Sequence, residues 1–254
     1  MKLSVITVCR NEGSKIRATL ESVRTQSYTD FEHIVVDGAS TDETVEVIRQ
    51  YSDRIAYWCS EPDTGIYAAM NKGIRKAKGD YLLFLNGGDS LAAPDVLERV
   101  FSLGYQEDIL YGDMVKDDAG RQYLSSLDGY NTSAFFLFTH TLPHQGSFIK
   151  RRLFEELGLY DESYKLMGDY EFFKRALVKN RATARYLGFV VGIFDYSGMS
   201  TRPDFKRLQR NEARHARIST YGIPRFVWFS LLWGVYDLLV YRPLRKLKTL
   251  ATKR

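Results

Sequence analysis

Leu3–Cys9 (LSVITVC) and Tyr81–Leu85 (YLLFL) are the stretches that decide the fold. Both are short, largely apolar runs, the first of them rich in β-branched residues, a composition typical of strands buried on both faces of a sheet. His33–Val36 (HIVV) and Ile55–Cys59 (IAYWC) predict two further strands between them. The first part of the chain therefore predicts a sheet that is covered by helices on both sides.

Helical spacing of apolar residues separates these strands. It appears in Ser14–Gln26, in a segment that begins at Val45, and in Ile66–Ala77. Repeated alternation of strand and helix predicts an α/β domain with a parallel sheet and right-handed crossovers.

The pattern becomes less regular after Asp89. The remaining predicted elements are helices at Asp95–Phe101, Arg151–Leu157 and Tyr170–Lys179, strands at Ile109–Met114 and Tyr186–Phe194, and a loop at Ala119–Thr141. We expect this half to form the second wall of a cleft. Because no linker composition occurs before about Thr201, residues 1–201 are predicted to be one domain and residues 202–254 a tail.

The net charge of +5 is distributed unevenly along the 254 residues. Residues 1–201 hold 23 Lys and Arg against 28 Asp and Glu, whereas residues 202–254 hold 13 against 3. A nucleic-acid-binding surface needs clustered cations on the folded domain. We therefore expect no nucleic-acid partner, and we look for another reason for the basic tail.

The two cysteines, Cys9 and Cys59, are too few for a disulfide framework or a cysteine-based zinc site. The apolar run Leu3–Cys9 is too short for the core of a signal peptide. The expected setting is therefore reducing and cytoplasmic.

Polar clusters follow three of the predicted strands: Arg10–Glu12, Asp37–Ser40 and Asn86–Asp89. Ligands of open α/β sheets bind beyond the carboxyl ends of the strands, so these clusters predict a crevice of nucleotide size. Each cluster taken alone is equally typical of an ordinary turn, because Asp, Asn and Gly favour turns.

The chain lacks both the G-x-G-x-x-G motif of dinucleotide-binding enzymes and the P-loop. A divalent cation is another way to hold a diphosphate, since Mg²⁺ and Mn²⁺ use one or two carboxylates with phosphate and water. Asp89 offers such a carboxylate, and Gly87 and Gly88 beside it permit a close approach of phosphate to the backbone.

Five segments, in this order, resemble the inverting family 2 glycosyltransferases of the GT-A fold, most closely bacterial enzymes that build surface polysaccharides. They are SVITVCRNE (4–12), VVDGASTDET (35–44), EPDTGIYAAMNKGI (61–74), GDYLLFLNGGD (79–89) and LPHQGSFIKRRLFEELGLYDESYKLMGDYEFFKRAL (142–177). The resemblance covers about residues 1–200. It implies a Rossmann-like nucleotide-binding half with a mixed central sheet, and an enzyme that uses Mn²⁺ or Mg²⁺.

The resemblance also implies roles for individual residues. Those implied to bind the donor are Thr7, Cys9, Asn11 and Glu12 around the nucleoside, Asp37 at its base, Asn71 and Lys72 on a facing helix, and Asn86, Gly88 and Asp89 in the D-x-D region. Asp89 matches the metal-binding end of that region, and Asp169 matches the general base.

Three positions depart from the family pattern. Gly88 and Gly168 stand where many relatives carry an acidic residue, and Ala68 stands where close relatives usually have Asp. The departure at Gly88 is expected to weaken ribose contacts or leave them to the backbone. With Gly168 in place of an acid, Asp169 escapes like-charge repulsion.

Two readings remain open at several positions. Asp169 is either the base of a direct displacement or the N-cap of the following helix. His144 and Gln145 either contact the acceptor or the diphosphate, or serve the structure alone. Cys9 fits a small buried residue better than a nucleophile.

The tail contains Phe226–Tyr241 (FVWFSLLWGVYDLLVY), in which 13 of 16 residues are apolar or aromatic. Six cations and no acid follow it, at positions 242, 245, 246, 248, 253 and 254. The run is short for a membrane span, and aromatic residues with a basic flank are typical of a helix on an anionic membrane surface. Packing on the body, packing on a second subunit, and a true span are the alternatives.

A sugar transferase on the cytoplasmic face of the membrane suggests a saccharide acceptor linked to polyprenyl diphosphate. The alternatives are a polyprenyl-phosphate sugar synthase and a non-catalytic sugar-nucleotide-binding or scaffold protein. A homodimer is compatible with the sequence.

Overall fold

The computed structural model of the chain describes residues 1–196, 198 and 202–238. Its strands are β1 (Leu3–Cys9), β2 (Phe31–Asp37), β3 (Tyr57–Ser60), β4 (Tyr81–Asn86), β5 (Ser90–Leu91), β6 (Ile109–Asp118), β7 (Arg121–Ser125), β8 (Ser147–Lys150) and β9 (Ala184–Asp195). Its α-helices are α1 (Lys15–Arg24), α2 (Thr44–Gln50), α3 (Ile66–Lys76), α4 (Val96–Ser102), α5 (Ala134–Thr139), α6 (Arg151–Leu157), α7 (Gly168–Lys174) and α8 (Lys206–Tyr236).

The strands form one sheet in the order β3-β2-β1-β4-β8-β6-β9-β5, and β7 pairs with β6. The first four strands in that order are parallel, as the alternation of strands and helices predicts. β8 runs antiparallel to both β4 and β6, and β9 is parallel to β6. The sheet is therefore mixed, as expected for the GT-A fold.

Alternation along the central strands divides the core between the two faces of the sheet. In β1, Leu3 and Val5 belong to one buried cluster, while Ile6 and Val8 belong to the other. These four side chains are at most 4% exposed. Full burial of such a side chain contributes about 2 kcal/mol, so a shift of register by one residue would be costly.

The structure corrects the prediction of a loop at Ala119–Thr141. This segment holds β7 and α5. β7 (RQYLS) is a short, largely exposed strand that lacks the buried pattern of a core strand. α5 (AFFLFT) is apolar on nearly every position, so its sequence shows no helical periodicity to read.

Several predicted boundaries also move. β3 begins at Tyr57 rather than Ile55. The helix predicted at Tyr170–Lys179 begins at Gly168 as α7, and its last five residues, Arg175–Lys179, form a π-helical segment.

α8 changes direction at Gly222, which has φ 72° and ψ 159° and is followed by Pro224. Before this kink, Ala213 and Ala216 are buried where α8 packs against α7. Contacts therefore cross the boundary that the charge pattern predicts at residue 201. Within the described part of the chain, no helix is both long and apolar enough to cross a membrane. The rest of the predicted tail helix, 239–241, and the cations from 242 onward lie outside the described residues.

Candidate active site

The polar turns after β1, β2 and β4 meet at one edge of the sheet. Cys9 is the register partner of Asp37 across β1 and β2, and Val8 is the partner of Asn86 across β1 and β4. Parallel strands that end side by side thus bring together three segments that are distant in sequence. The polar residues that are expected to line the crevice therefore meet at this edge.

Asp169 occupies the centre of a chain of hydrogen bonds at this edge. Nδ1 of His144 lies 2.9 Å from Oδ2 of Asp169, and the hydroxyl of Tyr67 donates to Oδ1 over 3.1 Å. The other ring nitrogen of His144, Nε2, lies 3.2 Å from Nδ2 of Asn86. One carboxylate is therefore held by the start of α3, the turn before β8 and, through His144, the end of β4.

Opposing influences set the pKa of Asp169. Burial raises it, but the hydrogen bond and positive charge that His144 can supply, the amide of Tyr170 and the hydroxyl of Tyr67 together outweigh burial. The pKa of Asp169 therefore lies below its ordinary value of 3.8. The carboxylate is ionised at neutral pH, which is the state that a proton acceptor needs.

Gly168 leaves the space that Tyr67 occupies. A Cβ atom at this position would lie 2.8 Å from Cε2 of the Tyr67 ring, too close for a side chain. An acidic residue here would displace the ring whose hydroxyl binds Asp169. With glycine at position 168 there is no second carboxylate beside Asp169, and the hydroxyl of Tyr67 can donate a hydrogen bond to it.

Asp89 is buried, with 2% of its surface exposed. Its carboxylate oxygens accept hydrogen bonds from the backbone amides of Asn86 (3.2 Å) and Asp195 (3.1 Å). Burial raises the pKa of Asp89 to about 7, against the lowering influence of His144, the two amides and the side chain of Gln145. At neutral pH this carboxyl group stands between its two protonation states, so a nearby cation would favour the ionised form.

Gly88 adjoins a carboxylate that belongs to another strand. Gly88 has φ 96°, and a Cβ atom built on it would lie 2.9 Å from Oδ2 of Asp195 at the end of β9. The same oxygen of Asp195 lies 2.9 Å from Nζ of Lys15. Asp195 therefore occupies the space into which a side chain at position 88 would project.

The turn after β4 offers oxygen atoms to a cation. Besides the carboxylate of Asp89, Oδ1 of Asn86 is buried without a hydrogen-bond partner among the described residues. The described part of the chain holds no group of three or more His, Cys, Asp or Glu side chains arranged as a complete metal site. This donor set fits Mg²⁺ or Mn²⁺, which take few protein oxygens and complete their shell with phosphate and water.

Asp37 is fully buried and its oxygens bind neighbouring side chains. Oδ2 accepts from the amide of Ser40 (2.9 Å) and the hydroxyl of Ser60 (2.6 Å), while Oδ1 accepts from the hydroxyl of Ser40. The thiol of Cys9 lies 3.6 Å from Oδ1. Burial and the charge of Asp37 raise the pKa of Cys9 well above its ordinary value, which fits a small buried residue and not a nucleophile.

Asn11 and Glu12 fasten the turn after β1 to the turn after β2. Oδ1 of Asn11 accepts from the amide of Thr41 over 2.9 Å, and the amide of Glu12 donates to the hydroxyl of Thr44 over 3.0 Å. Burial raises the pKa of Glu12, the charge of Lys15 lowers it, and the charges of Asp195 and Asp42 raise it further. Both residues border the crevice.

The structure does not bring Thr7 and Asn71 into the crevice. Thr7 is fully buried, and its hydroxyl lies 2.9 Å from Nε2 of His33. Asn71 is 1% exposed, donates to the carbonyl of Tyr160 and accepts from the amide of the same residue. Their contacts join elements of the fold, and the donor contacts that the resemblance implies for them stay a prediction.

Lys72 stands beside the crevice. Its Nζ lies 2.8 Å from Glu61 and 2.7 Å from Asp63, and these contacts hold the segment that follows β3. The lysine thus shapes the wall next to Asp37 by fixing this segment.

Two site residues escaped the sequence analysis. Tyr67 lies within the quoted 61–74 segment, yet nothing local shows that its hydroxyl reaches a residue more than a hundred positions away. Asp195 directly follows the predicted strand Tyr186–Phe194 and is the last residue of β9. An acid that follows a predicted strand is the same signal that marked Asp37, so this signal could have found Asp195.

Comparison with known sequences is consistent with this geometry. Residues 4–158 match the family model described as Glycosyl transferase family 2. A PGL/p-HBAD biosynthesis glycosyltransferase of Mycobacterium bovis is 32% identical over 204 residues, covering 78% of each chain. An uncharacterized glycosyltransferase of Mycobacterium tuberculosis is 34% identical over 224 residues, covering 85% of this chain and 84% of its own.

Solved structures share the fold at lower identity. S. aureus TarS 1–349 in complex with UDP-GlcNAc superposes with a TM-score of 0.71 at 18% identity, covering 94% of this chain and 76% of that chain. The mannosyltransferase PcManGT from Pyrobaculum calidifontis, in complex with GDP-Man and Mn²⁺, gives 0.59 at 20% identity, covering 98% and 83%. Against a longer TarS chain, the match spans 37% of that chain.

These findings agree with the strand-end crevice and the mixed sheet, and they confirm both the predicted GT-A fold and the predicted transferase class. The chain belongs to glycosyl transferase family 2.

Proposed function

We propose that this glycosyltransferase moves a sugar from a nucleotide-diphosphate sugar to a hydroxyl of a saccharide acceptor, with inversion at the anomeric carbon. The acceptor oxygen forms the new bond to that carbon as its bond to the diphosphate oxygen breaks. The acceptor proton passes to Asp169, and the nucleoside diphosphate leaves with the bonding electron pair. A single displacement of this kind inverts the anomeric centre.

The observation that carries the proposal is the setting of Asp169. Its carboxylate lies at the edge of the sheet where ligands of α/β proteins bind. Hydrogen bonds from His144 and Tyr67 orient the carboxylate, and its lowered pKa keeps it ionised. A fixed, ionised carboxylate opposite the donor turns of β1, β2 and β4 is what a general base requires.

Replacement of the base tests this assignment. Asp169→Asn should lower kcat by about 10²-fold to 10⁴-fold, because the amide cannot accept the acceptor proton. Donor binding, measured by titration calorimetry, should change little. Asp161→Asn, an exposed acid nearby, is the matched control. Near-normal turnover by Asp169→Asn would remove Asp169 as the base.

Product analysis of the same reaction separates the proposal from its rivals. A glycosidic bond to a sugar supports it, whereas a sugar joined to a lipid phosphate identifies a polyprenyl-phosphate sugar synthase. A complete lack of both sugar transfer and donor hydrolysis with Mn²⁺ would favour a scaffold. A thermal-shift screen of UDP-, GDP- and dTDP-sugars would identify the donor, since a ligand raises apparent stability by mass action.

A divalent cation belongs to this proposal. Asp89 would hold it, with Oδ1 of Asn86 as a second oxygen of the same turn. When bound, Mn²⁺ or Mg²⁺ supplies positive charge to the diphosphate. Asp89→Ala should abolish the Mn²⁺-dependent part of donor binding in calorimetry, and donor affinity that is equal with Mn²⁺ and with chelator would contradict this role.

The kinked second half of α8 supports an association with the membrane surface. One of its faces packs on α5: the ring of Phe229 lies 5.4 Å from that of Phe135 and 5.6 Å from that of Phe138. The opposite face is exposed and apolar, with Ile223, Val227, Trp228, Leu231 and Val235 between 48% and 67% exposed. An exposed apolar stripe followed by cations is the pattern of a helix that lies on an anionic bilayer.

Flotation of the full chain with vesicles that contain anionic lipid tests the membrane proposal. The double variant Trp228→Glu, Leu231→Glu should leave the vesicle fraction, because it places two charges on the stripe. Leu124→Glu changes a residue that is equally exposed, at 64%, on β7 and serves as the control. Retention of the double variant on vesicles would show that this stripe is not the membrane contact.

A location at the cytoplasmic face of the membrane suggests that the acceptor saccharide is carried on polyprenyl diphosphate, in the synthesis of a polysaccharide. This part of the proposal depends on the membrane association and is tested by offering lipid-linked and free acceptors in parallel.

A further inference from the structure

The loop that leads into Asp169 is held by a residue of α8. Glu212 accepts three backbone hydrogen bonds from consecutive residues: Oε1 accepts from the amide of Lys165 (2.9 Å), and Oε2 accepts from Leu166 (2.9 Å) and Met167 (3.0 Å). Hydrogen bonds to an ionised acceptor are stronger than those between neutral groups. One carboxylate therefore fixes the three residues that immediately precede Gly168 and Asp169.

The start of α7 has no side-chain cap of its own. Its N-cap residue, Met167, makes no side-chain cap hydrogen bond. Glu212 instead binds, from a different helix, the three amides that immediately precede the first turn of α7. The orientation of the first turn of α7, which includes Asp169, thus depends on α8.

A second contact from α8 reaches the other side of Asp169. Nε of Arg217 donates to the hydroxyl of Tyr170 over 2.9 Å, and that hydroxyl donates to the carbonyl of Phe138. Between Glu212 and Arg217 on α8, the small residues Ala213 and Ala216 are buried and permit a close approach of the two helices.

We propose that Glu212 is a positioning residue for sugar transfer, which acts by fixing the 165–167 loop so that the Asp169 carboxylate meets the acceptor hydroxyl. The proposal rests on the role of Asp169 as the base. Glu212 touches neither substrate in this account, because its carboxylate is occupied by the loop amides. It makes the first half of α8 part of the catalytic apparatus.

The test compares Glu212→Ala with wild type in the full chain. The expected result is a fall in kcat of about 10-fold to 100-fold, because small displacements of a reacting group have effects of this size. Donor affinity in calorimetry should stay within about twofold, since the donor turns of β1, β2 and β4 do not contact Glu212. Asn211→Ala, an exposed neighbour on the same helix, is the control and should behave as wild type.

A pH profile distinguishes positioning from a merely structural role. The hydrogen bonds of Asp169 lower its pKa. When the loop moves, those bonds loosen, the pKa of Asp169 rises, and the acidic limb of the kcat profile should move to higher pH. A loss of folded protein would instead scale the rate equally at every pH. An unshifted profile, or an unchanged kcat per donor-binding site, would overturn the proposal.

Glu212→Gln keeps the proposal testable if the alanine variant does not fold. The carbonyl oxygen of Gln can accept from Leu166 and Met167, while the exposed amide of Lys165 turns to water. We expect kcat between those of wild type and Glu212→Ala, and a Gln variant as slow as Asp169→Asn would contradict it. If Asp169→Asn itself retains turnover, the base assignment fails; if only the Glu212 variants retain it, the positioning role alone fails.

Discussion

Two buried polar groups differ in how far hydrogen bonds compensate their burial: Asp37, in residues 1–89 (the proposed donor half), and Lys174, in residues 90–195 (the proposed acceptor half). In the donor half, Asp37 is fully buried and accepts hydrogen bonds from the amide and hydroxyl of Ser40 and from the hydroxyl of Ser60. In the acceptor half, the buried Lys174 has a single hydrogen bond, to the carbonyl of His140 (3.3 Å), and the hydroxyl of Tyr160 is buried without a partner among the described residues. The comparison teaches that hydrogen bonds compensate the burial of Asp37, whereas the burial of Lys174 and of the Tyr160 hydroxyl opposes folding.

The strongest test of this contrast is Lys174→Met. Lys174 is 1% exposed, its Nζ lies 3.1 Å from the centroid of the Tyr170 ring, and burial lowers its pKa to about 6 from an ordinary 10.5. Between these two pH values the unfolded chain binds a proton that the folded chain does not, so folding stability rises with pH. The Met variant removes this slope.

At pH 7 the Lys174→Met variant should be more stable by about 3 kcal/mol, after allowance for its lost hydrogen bond and ring contact. The gain should shrink as the pH approaches 10. Urea denaturation at several pH values measures both effects. A Met variant that is less stable than wild type at pH 7 would show that the burial of Lys174 does not oppose folding.

In the donor half, Asp37→Asn should lower folding stability, whereas Lys174→Met should raise it. The variant places an NH₂ group among hydroxyl and amide groups that already donate to Asp37. The unsatisfied donors should lower the free energy of unfolding by about 2 kcal/mol. Donor binding should weaken in the same variant. Asp53→Asn, on an exposed acid, is the control and should stay within about 0.5 kcal/mol of wild type. Equal stability of the two variants would remove the contrast.

His144→Ala connects the two halves, because the imidazole lies between Asn86 and Asp169. His144 makes the largest of the contributions that lower the pKa of Asp169. Without it, that pKa should rise, and the acidic limb of kcat/KM should move to higher pH while kcat falls by about tenfold. His215→Ala, on an exposed histidine, is the control. An unmoved limb would show that His144 does not act through Asp169.

The smallest effect is expected from Tyr160→Phe. The phenol ring packs among Phe84, Phe154 and Phe172, and its hydroxyl has no hydrogen-bond partner in the described structure. Removal of an unsatisfied buried hydroxyl should be neutral or stabilising by about 1 kcal/mol. A clear loss of thermal stability would reveal a partner for this hydroxyl.

Sequence reasoning succeeded where periodicity is local and failed where contacts are distant. The bounds of β1 and α6 agree with the predicted segments Leu3–Cys9 and Arg151–Leu157, because each has a local pattern of apolar residues that fits its element. The polar residues at the ends of β1, β2 and β4 converge as parallel strands require. α5 could not be predicted, since a uniformly apolar hexamer has no period.

The partners of Asp169 were beyond local sequence for a different reason. Tyr67, His144 and Glu212 belong to three separate elements, and only the packing of those elements brings them to α7. The resemblance pointed to Asp169 as the base that we propose, but it did not identify the residues that hold its carboxylate.

The contact between Gly88 and Asp195 has a consequence for the history of the family. A side chain at position 88 and the carboxylate at position 195 compete for the same space, since only 2.9 Å would separate a Cβ at Gly88 from Oδ2 of Asp195. The two positions should therefore co-vary among relatives. Lineages that carry an acidic residue at the position of Gly88 should carry a small residue at that of Asp195, so that one carboxylate, supplied by either strand, remains beside the donor turn.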